Sequence, residues 1–193
     1  MELKGIKIGF ALTGSFCTFS KVLPQIESLV SDGADVVPIM SENASSIDTR
    51  FGKAEDFIKK VKDITGKEII TTILGAEPIG PKNILDILVV APCTGNTISK
   101  LANGVTDSSV TMAAKANLRN ENPLVIAVST NDGLGTSAKN IGTLLNCKNV
   151  YFVPFTQDDP DKKHNSLVAR MELIKPTIEM ALENKQIQPI LFR

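Results

Sequence analysis

Residues 87–101 constrain this chain more than any other stretch. Ile87-Leu88-Val89-Val90-Ala91 is a continuous apolar run, and Pro92 stops it. Cys93-Thr94-Gly95-Asn96 then lead into the apolar-periodic Thr97-Ile98-Ser99-Lys100-Leu101. An apolar run ended by a breaker, then small polar residues, then a helical pattern reads as a buried parallel strand, a tight loop and a helix start. In an open α/β sheet, ligands bind in the loops beyond the carboxyl ends of the strands. This loop offers Thr94, Asn96, Thr97 and the free amides of a helix N-terminus, with no charged side chain. Such a surface suits a phosphate or the polar edge of a small ring.

The same alternation runs along the chain. Strands are expected at 6–12, 34–40, 68–73, 86–91, 123–128 and 150–155. Helices are expected between them, one carrying Val22, Ile26, Leu29 and Val30 on one face and ending at Gly33, the next carrying Phe57, Ile58, Val61 and Ile64 and ending at Gly66. Pro24 either belongs to the first turn of its helix or kinks it. Residues 41–53 and 75–83 read as loops, 97–103 and 107–119 as a helix pair. Ile141, Leu144 and Leu145 mark another helix. Residues 165–184 read as a long C-terminal helix kinked at Pro176, followed by an extended tail, 187–192. The expectation is an α/β chain: one doubly wound, three-layer, Rossmann-like domain over residues 1–193 with about six parallel strands.

Composition narrows the function. Hydrophobic residues make up 42% of 193, enough for a full core without staples. Lys plus Arg equals Asp plus Glu at 21 each, there is one Tyr and no Trp, and no basic run occurs, which argues against a nucleic-acid partner. Cys17, Cys93 and Cys147 are too far apart for a metal-ligand pair or a disulfide framework, and they fit a reducing cytosol. Met1-Glu2-Leu3-Lys4 enters a short apolar run unlike a signal peptide, and no stretch is long enough to span a bilayer.

Three loops should share one sheet edge: Thr13-Gly14-Ser15, Pro92 to Thr97, and Ser129 to Gly135. Together they predict a phosphate-sized anion site from Gly14, Ser15 and Phe16, completed by Ser41, Thr94, Asn96 and Thr97. The full three-glycine dinucleotide fingerprint is missing, as is a Gly-Lys-Ser/Thr phosphate loop, so a mononucleotide fits better than a dinucleotide or a triphosphate. His164, the only histidine, lies in a charged stretch that reads as solvated loop. The acidic cluster at 158–161 lacks calcium-loop spacing, so no metal is expected. Cys17 and Cys93 are either activated thiols near a helix N-terminus or small semi-buried apolar residues. Arg50, in Asp48-Thr49-Arg50-Phe51-Gly52, either grips a substrate carboxylate with its planar fork or pairs with Glu42 or Asp48. Lys100 and Lys115 are the alternative cations, both in helical patterns. No residue is singled out for proton or hydride chemistry.

Ile8-Gly9-Phe10-Ala11-Leu12-Thr13-Gly14-Ser15 and Ala91-Pro92-Cys93-Thr94-Gly95-Asn96-Thr97 resemble the flavoprotein family that contains phosphopantothenoylcysteine decarboxylase, lantibiotic cysteine decarboxylases and flavin prenyltransferase. The resemblance implies FMN, with the Pro92–Thr97 segment, including Cys93, and Ser129, Thr130 and Asn131 beside it. Further segments, Thr49-Arg50-Phe51-Gly52 and Ser129 to Gly135 among them, are similar to a branch that serves a sporulation oxidoreductase. For that branch the implied reaction oxidises a dihydrodipicolinate-type dicarboxylate of the lysine pathway to dipicolinic acid in the mother-cell cytoplasm. It acts with a second subunit that uses NAD(P)H, and a homo-oligomer, trimer or larger, is implied. A stand-alone FMN decarboxylase or prenyltransferase and a non-catalytic activating partner are the alternatives. The decarboxylases have a His soon after strand two and a Pro-x-Met-Asn segment after strand five; this chain has no such His and carries Ser129-Thr130-Asn131-Asp132 instead. The apolar tail either joins an oligomer interface or folds back on its own chain.

Overall fold

The structure, a computed structural model, describes residues 3–192. Met1 and Glu2, part of the segment expected to lack a leader, and Arg193 lie outside the described residues. β1 (Lys7–Leu12) is followed by α1 (Phe19–Ser31) and β2 (Asp35–Met40). Next come α2 (Glu42–Ser46), α3 (Ala54–Thr65), α4 (Ile73–Ala76) and β3 (Ile87–Cys93). α5 (Gly95–Ala102) and α6 (Ser109–Arg119) lead to β4 (Leu124–Thr130), and α7 (Ala138–Leu145) leads to β5 (Val150–Phe152). The remaining elements are β6 (Phe155–Gln157), β7 (Leu167–Ala169) and α8 (Ile174–Leu182).

Five strands form a parallel sheet in the order β2-β1-β3-β4-β5. All seven residues of β3 are buried, as are the first six of β4. Helices cover both faces of these central strands, so they carry unbroken apolar runs instead of alternation. α1 packs with α3 and α8, and α6 with α4 and α5, giving two helical layers around the sheet. Phe10, Phe19 and Phe152 are the largest fully buried side chains. Phe19 meets Phe57 edge-on at 4.8 Å between ring centroids, fastening α1 to α3 with about 0.5–1.5 kcal/mol beyond area burial. After β2 the chain returns to the other side of β1 to make β3. The strand order therefore reverses between β1 and β3, the switch point at which such sheets bind ligands.

Several elements depart from the sequence reading. The parallel strand expected at 68–73 is absent among the described residues: the stretch reaches the sheet only through a bridge between Ile39 and Ile70, and α4 begins at Ile73. The 150–155 stretch splits into β5 and β6. β6 and β7 instead form an antiparallel ribbon, with Ser129 and Thr130 at the end of β4 pairing Val168 and Leu167. The long C-terminal helix is really β7, a 3-10 turn at Met171–Leu173, and the short α8. Leu167 and Ala169 are buried on alternate positions, but Met171, Ile174 and Ile178 extend that spacing into a helical one, which hid the boundary. Pro176 falls in the first turn of α8, where no intrahelical N–H is lost, so the expected kink has no cause. Pro24 lies inside α1, beyond its first turn. Pro92 does not end its strand. β3 runs on to Cys93 after a register shift between Val90 and Cys93, an irregularity that accommodates a residue without N–H. Residues 41–53 contain α2, and 75–83 contain the end of α4 and a 3-10 turn. The tail folds back: the Phe155 amide donates to the Ile190 carbonyl at 3.0 Å, and the Phe192 amide to the Phe155 carbonyl at 3.0 Å.

Candidate functional site

A cavity of about 870 Å³ opens at the carboxyl ends of β1, β3 and β4, a size suited to a cofactor or small substrate. Thr13, just before the first lining residue, is 1% exposed. The Thr13 hydroxyl donates to the Pro92 carbonyl at 2.7 Å and accepts from the Thr94 amide at 3.1 Å. One side chain thus satisfies two backbone groups of the neighbouring loop and fixes both loops together. Beyond it, Gly14, Ser15 and Phe16 line the cavity. Ser15 is held by its own amide, which donates to the Thr13 carbonyl at 2.8 Å, and by Thr18, whose hydroxyl donates to the Ser15 carbonyl at 2.6 Å.

The second loop caps α5. The Thr97 amide donates to Thr94 Oγ1 at 3.3 Å, and the two threonine hydroxyls lie 3.0 Å apart. Thr94 and Asn96 line the cavity. Gly95 sits between them because nothing larger fits. A Cβ there would stand 2.6 Å from Thr130 Oγ1, 2.7 Å from Asp132 Oδ1 and 2.8 Å from Ser137 Oγ. The close approach brings the N-terminus of α5 against the loop after β4.

That third loop contributes Ser129, Thr130, Asn131 and Asp132. Thr130 Oγ1 and Ser137 Oγ both donate to Asp132 Oδ1, at 2.5 Å and 2.9 Å. Across the opening, the β6–β7 ribbon supplies Asp158, Lys163 and Ser166. Lys163 Nζ donates to Asp158 Oδ2 at 2.7 Å, and this hydrogen bond with its accompanying charge attraction pushes the ammonium's pKa up. Arg50 completes the rim on a tight turn closed by hydrogen bonds between Thr49 and Gly52. Gly52 has φ of 146°, and a Cβ there would meet Phe57 Cζ at 2.9 Å. The Arg50 guanidinium lies 4.9 Å from the Phe51 ring centroid. Asp48 accepts from the Ala54 amide instead, and no carboxylate pairs with Arg50 among the described residues.

The three loops and Arg50 therefore converge as the sequence suggests. Three residues expected in the pocket lie outside its lining. Ser41 caps α2, accepting from the Ala44 amide. Thr97 is buried beneath Thr94. Cys93 is fully buried in the core, where desolvation pushes its thiol well above the ordinary range, so it is no activated thiol. Cys17 is exposed and does line the cavity. His164 is exposed, with Nδ1 2.7 Å from the Pro160 carbonyl. Lys100 and Lys115 line a different, smaller cavity of about 280 Å³. Sequence reasoning missed Asp132 and the ribbon residues. The altered segment at 129–132 was a signal for Asp132. Nothing local announces a ribbon whose pairing with β4 joins residues far apart in sequence.

The fold and this loop-built pocket define a flavin-type α/β protein, and the chain belongs to the Flavoprotein family, whose model matches residues 1–184. It is similar to the B subunit of dipicolinate synthase from Bacillus subtilis (strain 168), with 55% identity over 190 residues covering 98% of this chain and 95% of that protein. The crystal structure of the corresponding B subunit from Bacillus halodurans is 51% identical, with a TM-score of 0.92 over 100% of this chain and 99% of that one. The FMN-dependent cysteine decarboxylase SpaF shares the fold at 18% identity and a TM-score of 0.66, over 94% of this chain and 97% of that one.

Proposed function

We propose that this chain is the B subunit of a dipicolinate synthase, acting with an A subunit in the oxidation of a dihydrodipicolinate-type lysine-pathway intermediate to dipicolinic acid in the mother cell of a sporulating bacterium. The observation that carries this reading is the 55% identity to the B subunit of a dipicolinate synthase along 98% of the chain. The cavity fits FMN by its donor set. Hydroxyls of Ser15, Thr94 and Thr130 surround it, with the N-terminus of α5 pressed close by Gly95. Ser15, Phe16, Thr94 and Asn96 would hold the phosphate end, and Ser129 to Asn131 the polar ring edge. Such a flavin supplies two-electron exchange when bound. This chain's part is to hold that group, exclude water and bind substrate carboxylates, with Arg50 as the anchor. The nicotinamide cofactor binds through the A subunit, enters oxidised and leaves as NAD(P)H. The molecule is one domain and works as a homo-oligomer. Among the described residues no helix is long and apolar enough to cross a membrane.

Purified chain with flavin absorbance, and dipicolinate formed only when the chain, an A subunit and a nicotinamide cofactor are combined, is the expected result. Colourless protein that still activates the A subunit makes it a non-catalytic partner. Decarboxylation or prenyl transfer without any A subunit overturns the reading. A sedimentation mass near 20.7 kDa at micromolar concentration removes the oligomer.

A further inference from the structure

The geometry points to Asp132 as the proton acceptor of the cavity, an inference that rests on the dipicolinate-forming reading above. Among the described residues two carboxylates line the cavity, Asp132 and Asp158. Asp158 is engaged by the Lys163 ammonium at 2.7 Å. Asp132 has no cation partner among the described residues. Its Oδ1 is fixed by two hydroxyl donors, Thr130 and Ser137, while Oδ2 accepts no hydrogen bond among the described residues and is not sealed from solvent. The main chain holds it as firmly: the amides of Gly135 and Ser137 donate to the Asp132 carbonyl at 2.9 and 3.2 Å. One oxygen is oriented and the other carries no hydrogen bond among the described residues, in a side chain that lines the cavity. That is the arrangement a general base needs, with geometry set before the proton arrives.

The reaction requires such a group. A dihydropyridine dicarboxylate becomes aromatic by losing two hydrogens. One C–H bond breaks with its electron pair, and this hydride equivalent ends on the oxidised nicotinamide that the A subunit supplies. A second C–H or N–H bond breaks, its electrons enter the ring, and its proton must leave. The proton goes to Asp132 Oδ2, and the resulting acid is relieved by solvent. No other free carboxylate faces the cavity among the described residues, and His164 lies outside it. Lys21, Arg50 and Lys163 line the same cavity and suit a dianion.

The test uses the reconstituted complex of both subunits with Asp132→Asn, which keeps shape and the two hydroxyl contacts, and Asp132→Ala, which opens space. Two readouts are taken: turnover, and equilibrium affinity for pyridine-2,6-dicarboxylate by calorimetry. A proton acceptor contributes about 10²–10⁴-fold. Both variants should lose at least 100-fold in kcat while product affinity stays within threefold, and added formate should restore Asp132→Ala at least tenfold but not Asp132→Asn. Turnover within fivefold of the parent overturns the role. So does a loss of product affinity as large as the loss of turnover, which would make Asp132 a wall of the pocket. Absence of formate rescue also overturns it. Failure of the parent complex to form dipicolinate brings down the functional reading itself, and Asp132 with it. An active parent with an equally active variant removes Asp132 alone.

Discussion

Ser15 Oγ lies 2.8 Å from Ser129 Oγ, so the loop after β1 and the end of β4 are hydrogen-bonded across the tip of the strand that separates them. Both residues line the cavity. A double-mutant cycle with Ser15→Ala and Ser129→Ala should give a coupling of about 0.5–1.5 kcal/mol in urea unfolding. Additive effects would mean the two hydroxyls do not bond in solution. Ser15→Asp places a negative charge where a phosphate should sit. Fluorescence titration with FMN should show binding lost, and unchanged binding would move the phosphate elsewhere.

Thr13 serves two backbone groups at once, the Pro92 carbonyl and the Thr94 amide. Thr13→Val keeps the volume and strands both. The expected loss is about 1–3 kcal/mol of unfolding free energy, since a buried polar group without a partner costs that much. Thr13→Ser should recover most of it. Equal stability of the parent and Thr13→Val in urea would show that water replaces the hydroxyl.

Arg50 lines the cavity without a carboxylate partner among the described residues, although it is exposed. Solvent screening discounts its pairing with a ligand. Arg50→Ala should weaken binding of pyridine-2,6-dicarboxylate to the two-subunit complex by about 1–2 kcal/mol, or roughly 5- to 30-fold. Arg50→Lys keeps the charge but loses the planar fork, and should fall between the two. Unchanged affinity in Arg50→Ala takes it out of the substrate site.

Burial holds the Cys93 thiol neutral, far above its ordinary value of 9.0. The folded protein keeps this proton while the unfolded chain loses it above about pH 9, so stability is full below that pH and declines as pH rises. The slope from this one group is about 1.4 kcal/mol per pH unit. Urea unfolding between about pH 9.5 and 10.5 should show a slope shallower by nearly that amount in Cys93→Ala. Brief treatment of the native protein with iodoacetamide should label Cys17 and Cys147, both exposed, and spare Cys93. Labelled Cys93 in the intact mass spectrum contradicts this.

The parallel sheet was legible because buried strands between covering helices leave apolar runs, as at Ile87–Ala91 and Leu124–Val128. Gly33 and Gly66 ended α1 and α3 as read. The site was legible where local sequence makes it: Gly14-Ser15-Phe16 and the Thr94 cap of α5. It was illegible where distant pairing makes it. Leu167 and Val168 pair with Thr130 and Ser129 across almost forty residues, and only that pairing brings Asp158 and Lys163 to the rim. Lys163 alone in a charged stretch has the pattern of solvated surface. Ser41, Cys93 and Thr97 sit at the right sheet edge, but a chain position does not say which way a side chain turns, and theirs turn into a cap or the core.

The ribbon stands apart from the parallel sheet that supports everything else at the rim. It is rooted by the pairs Ser129–Val168 and Thr130–Leu167, by Leu167 seated against Gly133, where a Cβ would come within 2.6 Å, and by the Leu134 amide donating to the Asn165 carbonyl at 3.0 Å. Its tip, residues 158–166, faces the cavity without belonging to the core. A sheet of this kind can therefore exchange the tip for another of different length or charge while its strands and helix caps stay in place. The ribbon is a graftable part, and transplanting residues 158–166 between relatives changes the rim at Asp158, Lys163 and Ser166 alone.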